Sequence, residues 1–161
     1  MIKKLIDIKE KLPALLSDRE NWKSLYVDYH PPLVERLYMD YEDVRISIHR
    51  LHKCEPSDAL IHPHPWPAAF MVFGGYQTAF GYSETIDAPE NMSRVIMNEG
   101  CYEMMDKNLW HYVAPLETCI TIMVSGKPWG RDMPIKPAEK LRALTDRERS
   151  LLFDDVEKLL R

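Results

Sequence analysis

The segment Ile61-His62-Pro63-His64-Pro65-Trp66-Pro67, which runs into the apolar stretch from Ala68 to Phe73 and the pair Gly74-Gly75, decides the fold. Residues two apart on an extended chain share a face, so His62 and His64 stand side by side. Each precedes a proline, as does Trp66, and the clash with the proline ring steers all three toward β or polyproline-II dihedrals. Pro63, Pro65 and Pro67 also lack an N–H, and alternate residues present that group to the same edge. The segment therefore belongs at a sheet rim, where pairing stops. Such a chain has little backbone freedom left to lose on folding, which suits a pair of imidazoles that must hold an ion. Read alone, the seven residues fit a proline-rich surface turn with two solvated histidines equally well.

A second stretch, Gly100-Cys-Tyr-Glu-Met-Met-Asp-Lys-Asn-Leu-Trp-His111, shifts that balance. It reads as a strand, a polar turn at Asp106-Lys107-Asn108 and a returning strand that carries one more histidine.

Together the two stretches resemble the cupin superfamily, small β-barrels with a metal at the barrel mouth. The first cupin motif is G-x5-H-x-H-x3-E-x6-G. His62, His64 and Gly75 fall in frame with it, while Pro56 stands for the first glycine and Ala68 for the glutamate. The second motif is G-x5-P-x-G-x2-H-x3-N. Gly100 and His111 fall in frame, and Asp106, Asn108 and Pro115 stand for the proline, the second glycine and the asparagine. Asn accepts the left-handed conformation that glycine supplies in a turn. The resemblance covers roughly residues 44–127, and the H-P-W and G-G-Y pieces are similar to small bacterial or phage cupins without an assigned function. It implies a mainly β protein, a cupin-type antiparallel jelly-roll barrel with flanking N- and C-terminal helices. It further implies His62, His64 and His111 as metal ligands, and a homodimer paired through barrel edges. A fold of this kind does not name the reaction.

At 161 residues the chain is long enough for one domain with a core and too short for two. Hydrophobic residues make up 45% and charged residues 29%, the balance of an ordinary soluble globular protein. A net charge of −4 gives nothing to draw the chain to nucleic acid or an anionic membrane. Met1-Ile-Lys-Lys passes straight to Asp7, Lys9 and Glu10, without the apolar run of a signal peptide or membrane span. Cys54, Cys101 and Cys119 are too scattered for a disulfide framework. The expectation is a cytoplasmic, single-domain protein over 1–161. Its parts are an N-terminal helical segment (1–32), a barrel (33–130), and a C-terminal linker with an amphipathic helix (131–161).

Residues 2–12 carry apolar side chains at helical spacing, Pro13 interrupts them, and Ser17-Asp18 could cap a short second helix through Leu25. His30-Pro31-Pro32 marks an irregular connection. Strand patterns follow from Leu33 to Met39 and from Val44 to His52, the second with Ile46, Ile48, Arg50 and His52 on one face. Further strands are read at Tyr76 to Tyr82, Ser93 to Met97 and Glu117 to Ser125. Pro134 and Pro137 fall in the linker. Thr145-Asp-Arg-Glu148 is a capping box ahead of Leu151, Leu152, Phe153, Val156, Leu159 and Leu160.

Three neutral imidazoles bind a divalent ion, with Fe(II) favoured here and Zn, Ni or Mn as alternatives. Three protein ligands leave coordination positions open, the mark of a catalytic rather than a structural site. With Ala68 in place of the glutamate the ligand set is uncharged, so the ion's full charge should favour an anionic substrate. The resemblance narrows to three-histidine cupins, the cysteine dioxygenase type among them. It implies an oxygenase-like enzyme acting on a small anionic metabolite, with a ligand-holding sensor cupin as the alternative. Arg50 is the candidate carboxylate anchor, because a guanidinium facing a barrel interior needs an anionic partner. The commoner role for such a residue is a rim arginine paired with Glu or Asp. Tyr76, Gln77 and Tyr102 flank the motifs and are candidate substrate contacts or plain barrel lining, and His30 and His49 read as surface or core residues.

Overall fold

A computed structural model describes residues 1–134 and 141–161; the linker proline Pro137 lies outside the described residues. Among the described residues, ten strands form two antiparallel sheets. The larger sheet has six strands: in spatial order β1 (Lys23–Val27), β2 (Val34–Tyr41), β3 (Val44–Leu51), β10 (Cys119–Ser125), β5 (Ala68–Phe73) and β8 (Gly100–Met104). The smaller orders β4 (His62–Pro63), β9 (Leu109–Pro115), β6 (Tyr76–Tyr82) and β7 (Ser93–Met97). This is a jelly-roll arrangement in which the two sheets face each other and do not close into one continuous barrel. The shortness of β4 follows from its prolines: His62 and Pro63 pair with His111 and Trp110, and the ladder stops there.

Two of the chain's crossings between the sheets are marked in the sequence. Gly74, at φ 95°, turns β5 of one sheet into β6 of the other, and a Cβ there would meet the Cys119 Cβ at 3.1 Å. The other marked crossing is the turn after β8. The Asn108 N–H donates to Asp106 Oδ1 at 2.8 Å and the Leu109 N–H to the Asp106 carbonyl at 3.1 Å. A hairpin is the expectation here, yet β8 pairs with β5 and β9 with β6 and β4. The turn therefore carries His111 onto the sheet that already holds His62.

Two α-helices cover the outer face of the larger sheet. Helix α1 (Ile2–Ser17) buries Leu5, Ile8, Leu12 and Leu16, a stripe at helical spacing. Pro13 lies inside it and forfeits one N–H, but that stripe continues past it and holds the helix together. The expected second helix through Leu25 is instead a 3-10 turn (Arg19–Asn21) followed by β1. Helix α2 (Asp146–Leu159) begins at the anticipated capping box: the Thr145 N–H donates to Glu148 Oε2 at 2.8 Å and the Glu148 N–H to Thr145 Oγ1 at 3.3 Å. Leu152, Phe153 and Val156 are buried beneath it. With the helix residues, Ile46, Ile48, Ile120, Ile122 and Val124 form the main core cluster. Among the described residues no helix is long and apolar enough to cross a membrane.

The same packing corrects the role expected for Arg50. Sharing the Ile46–Ile48 face puts it under α2, on the side away from the space between the sheets. There it is 8% exposed and paired with the buried Glu35 carboxylate, and it donates to Asp155 Oδ2 at 2.6 Å. Arg50 is a rim arginine with two acidic partners, not an anchor beside the histidines.

Candidate metal centre

His62 on β4 lies directly across from His111 on β9, and His64 follows two residues along the same extended segment. The three rings gather with centroids 4.8 to 5.1 Å apart, and one ring nitrogen from each lies within 4.8 Å of the others. His64 Nε2 and His111 Nε2 are 2.8 Å apart. Two nitrogens bound at right angles to one ion at about 2.1 Å would be about 3 Å apart. The Nδ1–H of His62 donates to the Leu60 carbonyl at 3.0 Å, which turns its Nε2 lone pair toward the other two rings.

Burial is the leading cause that holds all three imidazoles neutral. It brings His62 down to about 4 and His64 and His111 well below the ordinary histidine value. His111 is fully enclosed, whereas His62 and His64 keep some accessible area on the cavity they line. Phe70 and Phe80 pack on the cluster, Phe80 stacked on His111 with centroids 6.1 Å apart. Three neutral nitrogen donors converging at the end of an open space fit a divalent ion with free coordination positions.

That space is a cavity of about 430 Å³ between the two sheets. Apolar side chains dominate its wall, among them Leu25, Val27, Val34, Leu51 and Val113, with Trp66 and Phe70 near the histidines. Tyr76 and Tyr102 line it too, and the Tyr76 hydroxyl donates to that of Tyr102 at 2.8 Å. Both phenols are raised above their usual range, chiefly by burial. Gln77, the third candidate contact, points elsewhere and donates to the Tyr112 hydroxyl at 2.7 Å. Ala68 is fully buried and packs with Phe70, Met104 and Met123.

Two cavity residues were not singled out by sequence reasoning. Arg36 on β2 and His49 on β3 face each other across the ladder, with Thr121 of β10 next in the row, and all three line the cavity. His49 Nδ1 lies 3.1 Å from Thr121 Oγ1. Strand parity was the available signal, but β3 is buried on both faces, so its pattern does not say which face meets the cavity.

No family model matches the chain, and no curated protein matches it. Among solved structures it is similar to hydroxypropylphosphonic acid epoxidase from S. wedmorenis, at 15% identity and a TM-score of 0.52 over 66% of this chain and 56% of that one. The Fe(II) form of that epoxidase in complex with substrate aligns at 11% identity and a TM-score of 0.53, over 66% of this chain and 57% of that one. Streptomyces albus HEPD, with 2-hydroxyethylphosphonate and Fe(II) bound, aligns at 9% identity and a TM-score of 0.52, over 68% of this chain and 25% of that one. The chain thus spans little more than half of the epoxidase and a quarter of HEPD. At these identities the likeness shows the fold, which is of the cupin type.

Proposed function

We propose that the protein is a mononuclear metal-dependent enzyme, oxygenase-like in class, in which His62, His64 and His111 hold a divalent ion, Fe(II) in first place. The observation that carries this reading is the convergence of three neutral imidazoles at the end of a cavity large enough for a small molecule. The likeness to two enzymes whose structures hold Fe(II) supports the choice of metal. Free thiols at Cys54, Cys101 and Cys119 suit a reducing, cytoplasmic setting in which ferrous iron is available. When bound, the ion supplies an open coordination site and one-electron chemistry with oxygen.

The chain's own residues do the remaining work. The Leu60 carbonyl fixes the tautomer of His62. Enclosure keeps the three nitrogens unprotonated, and Phe70, Phe80 and Trp66 shield them from bulk water. The Tyr102 hydroxyl, which accepts from Tyr76, keeps its own hydrogen for a bound molecule. The neutral ligand set leaves the ion's charge uncompensated, which favours an anionic substrate.

Elemental analysis of protein purified under anaerobic conditions tests the assignment, with His64→Ala beside it. We expect close to one equivalent of iron, or of zinc after aerobic purification, in the wild type. His64→Ala should lose most of it while its far-UV circular dichroism stays that of a folded β protein. A wild-type protein that takes up neither metal, even on reconstitution, would overturn the reading.

A further inference from the structure

The cavity beside the histidines is rich in donors and poor in acceptors. Among the described residues four buried side-chain polar atoms lack a hydrogen-bond partner: Arg36 Nε, His49 Nε2, Trp66 Nε1 and His111 Nδ1. All four belong to residues that line this one cavity. All four are nitrogens that can carry a hydrogen; His49 Nε2 does so when the Thr121 hydroxyl donates to its Nδ1. No described aspartate or glutamate lines the cavity. Among the described residues no carboxylate acts on the Arg36 guanidinium; burial is the main influence on it, and the neighbouring Arg45 cation disfavours its charge further.

A cation and several donors left unanswered in an apolar enclosure cost stability unless something bound there answers them. Arg50, one position along from His49 on the opposite face, shows what this chain does when an arginine is structural: it surrounds it with Glu35 and Asp155. Among the described residues Arg36 has no such arrangement. We propose that Arg36 and His49 form an anion subsite facing the three-histidine cluster, and that it takes a small oxyacid, carboxylate or phosphonate, whose remaining body is apolar and carries no ammonium group. The oxyanion satisfies the guanidinium and the His49 N–H. The apolar body lies along Leu25, Val27, Leu51 and Val113. An amino acid is disfavoured, because no described carboxylate in the wall meets its ammonium group. The proposal deepens the metal-centre reading and rests on it for what the acid's far end meets.

Four probes of similar size test this by isothermal calorimetry on zinc-loaded protein: 3-phenylpropionate, 2-phenylethylphosphonate, 3-phenylpropan-1-ol and phenylalanine. We expect one or both acids to bind at least about tenfold more tightly than the alcohol and the amino acid. Whichever acid binds tighter identifies the headgroup. Arg36→Met should weaken that acid to about the level of the alcohol, with metal content unchanged and the Tm of ligand-free protein higher than that of the wild type. Arg36→Lys should keep part of the preference. An arginine with a purely structural role would instead lower the Tm on substitution. The proposal is overturned if the wild type shows no preference for either acid, binds phenylalanine as tightly, or keeps its preference in Arg36→Met. If the wild type holds no metal yet prefers acids through Arg36, the metal-centre reading fails and the subsite stands. If metal is held and Arg36→Met changes nothing, the subsite alone fails.

Discussion

Arg36 and Arg50 sit on neighbouring strands of one sheet and face opposite ways, and their partners separate their roles. Arg50 and Glu35 are both nearly inaccessible, at 8% and 7% exposed. Removing one member of such a pair leaves the other charge buried. Arg50→Met should therefore lower unfolding stability by about 3–5 kcal/mol in urea titrations, while affinity for a cavity ligand stays the same. Ala68 offers a second test. Fully buried with Met104 and Met123, it has the place that the cupin pattern gives to a glutamate. Ala68→Glu should destabilise the metal-free protein, and added zinc should restore more of its Tm than it adds to the wild type, because a bound ion compensates the charge of a carboxylate there. The histidines add a pH dependence. Their folded-state pKa values are depressed, to about 4 for His62, so as pH falls below about 6.5 the unfolded chain takes up protons first. The stability of metal-free protein should be full above that value and fall steadily toward pH 4, as thermal melts across the range would show. The convergence of the three rings was legible because motif spacing delivers them in frame. Arg36 and His49 were not, since no motif marks them.

At the level of elements, the sequence was most readable where local chemistry acts alone. The capping box at Thr145 and Glu148 starts α2 as its residues dictate. Thr145→Ala should cost about 1 kcal/mol, seen as a lower urea midpoint with an unchanged m-value. Strand β7 likewise runs over the residues that its pattern marks, Ser93–Met97. Reading failed where tertiary packing decides. Helix α1 runs through Pro13 because its apolar stripe is anchored on both sides of the proline. The β8–β9 turn looks like a hairpin turn, but the pairing of each strand is set by partners distant in sequence, β5 for one and β6 for the other. On β3 every residue but Arg45 is buried, because helices cover one face and the second sheet the other. Alternation, the usual guide to facing, is then lost.

Over the whole molecule, the two sheets divide the labour. The larger presents its outer face to the helices for packing and its inner face to the cavity, while the smaller contributes His62 and His111. The row from Arg36 through His49 to Thr121 faces that same cavity, and the guanidinium's charge is already felt at His62 and His64, whose pKa values it helps to lower. A fixed cation beside the seat of a divalent ion opposes that ion's arrival, and a bound acid lifts the opposition. Affinities of the two ligands are then linked, each tightening the other by the same factor. Chelator-competition titrations should find zinc held more tightly in saturating 3-phenylpropionate. In Arg36→Met, zinc alone should bind more tightly than in the wild type, and the acid should add nothing. Metal occupancy in the cell would then follow the supply of the acid: a protein starved of its small molecule surrenders its ion first, and becomes competent again only when both return.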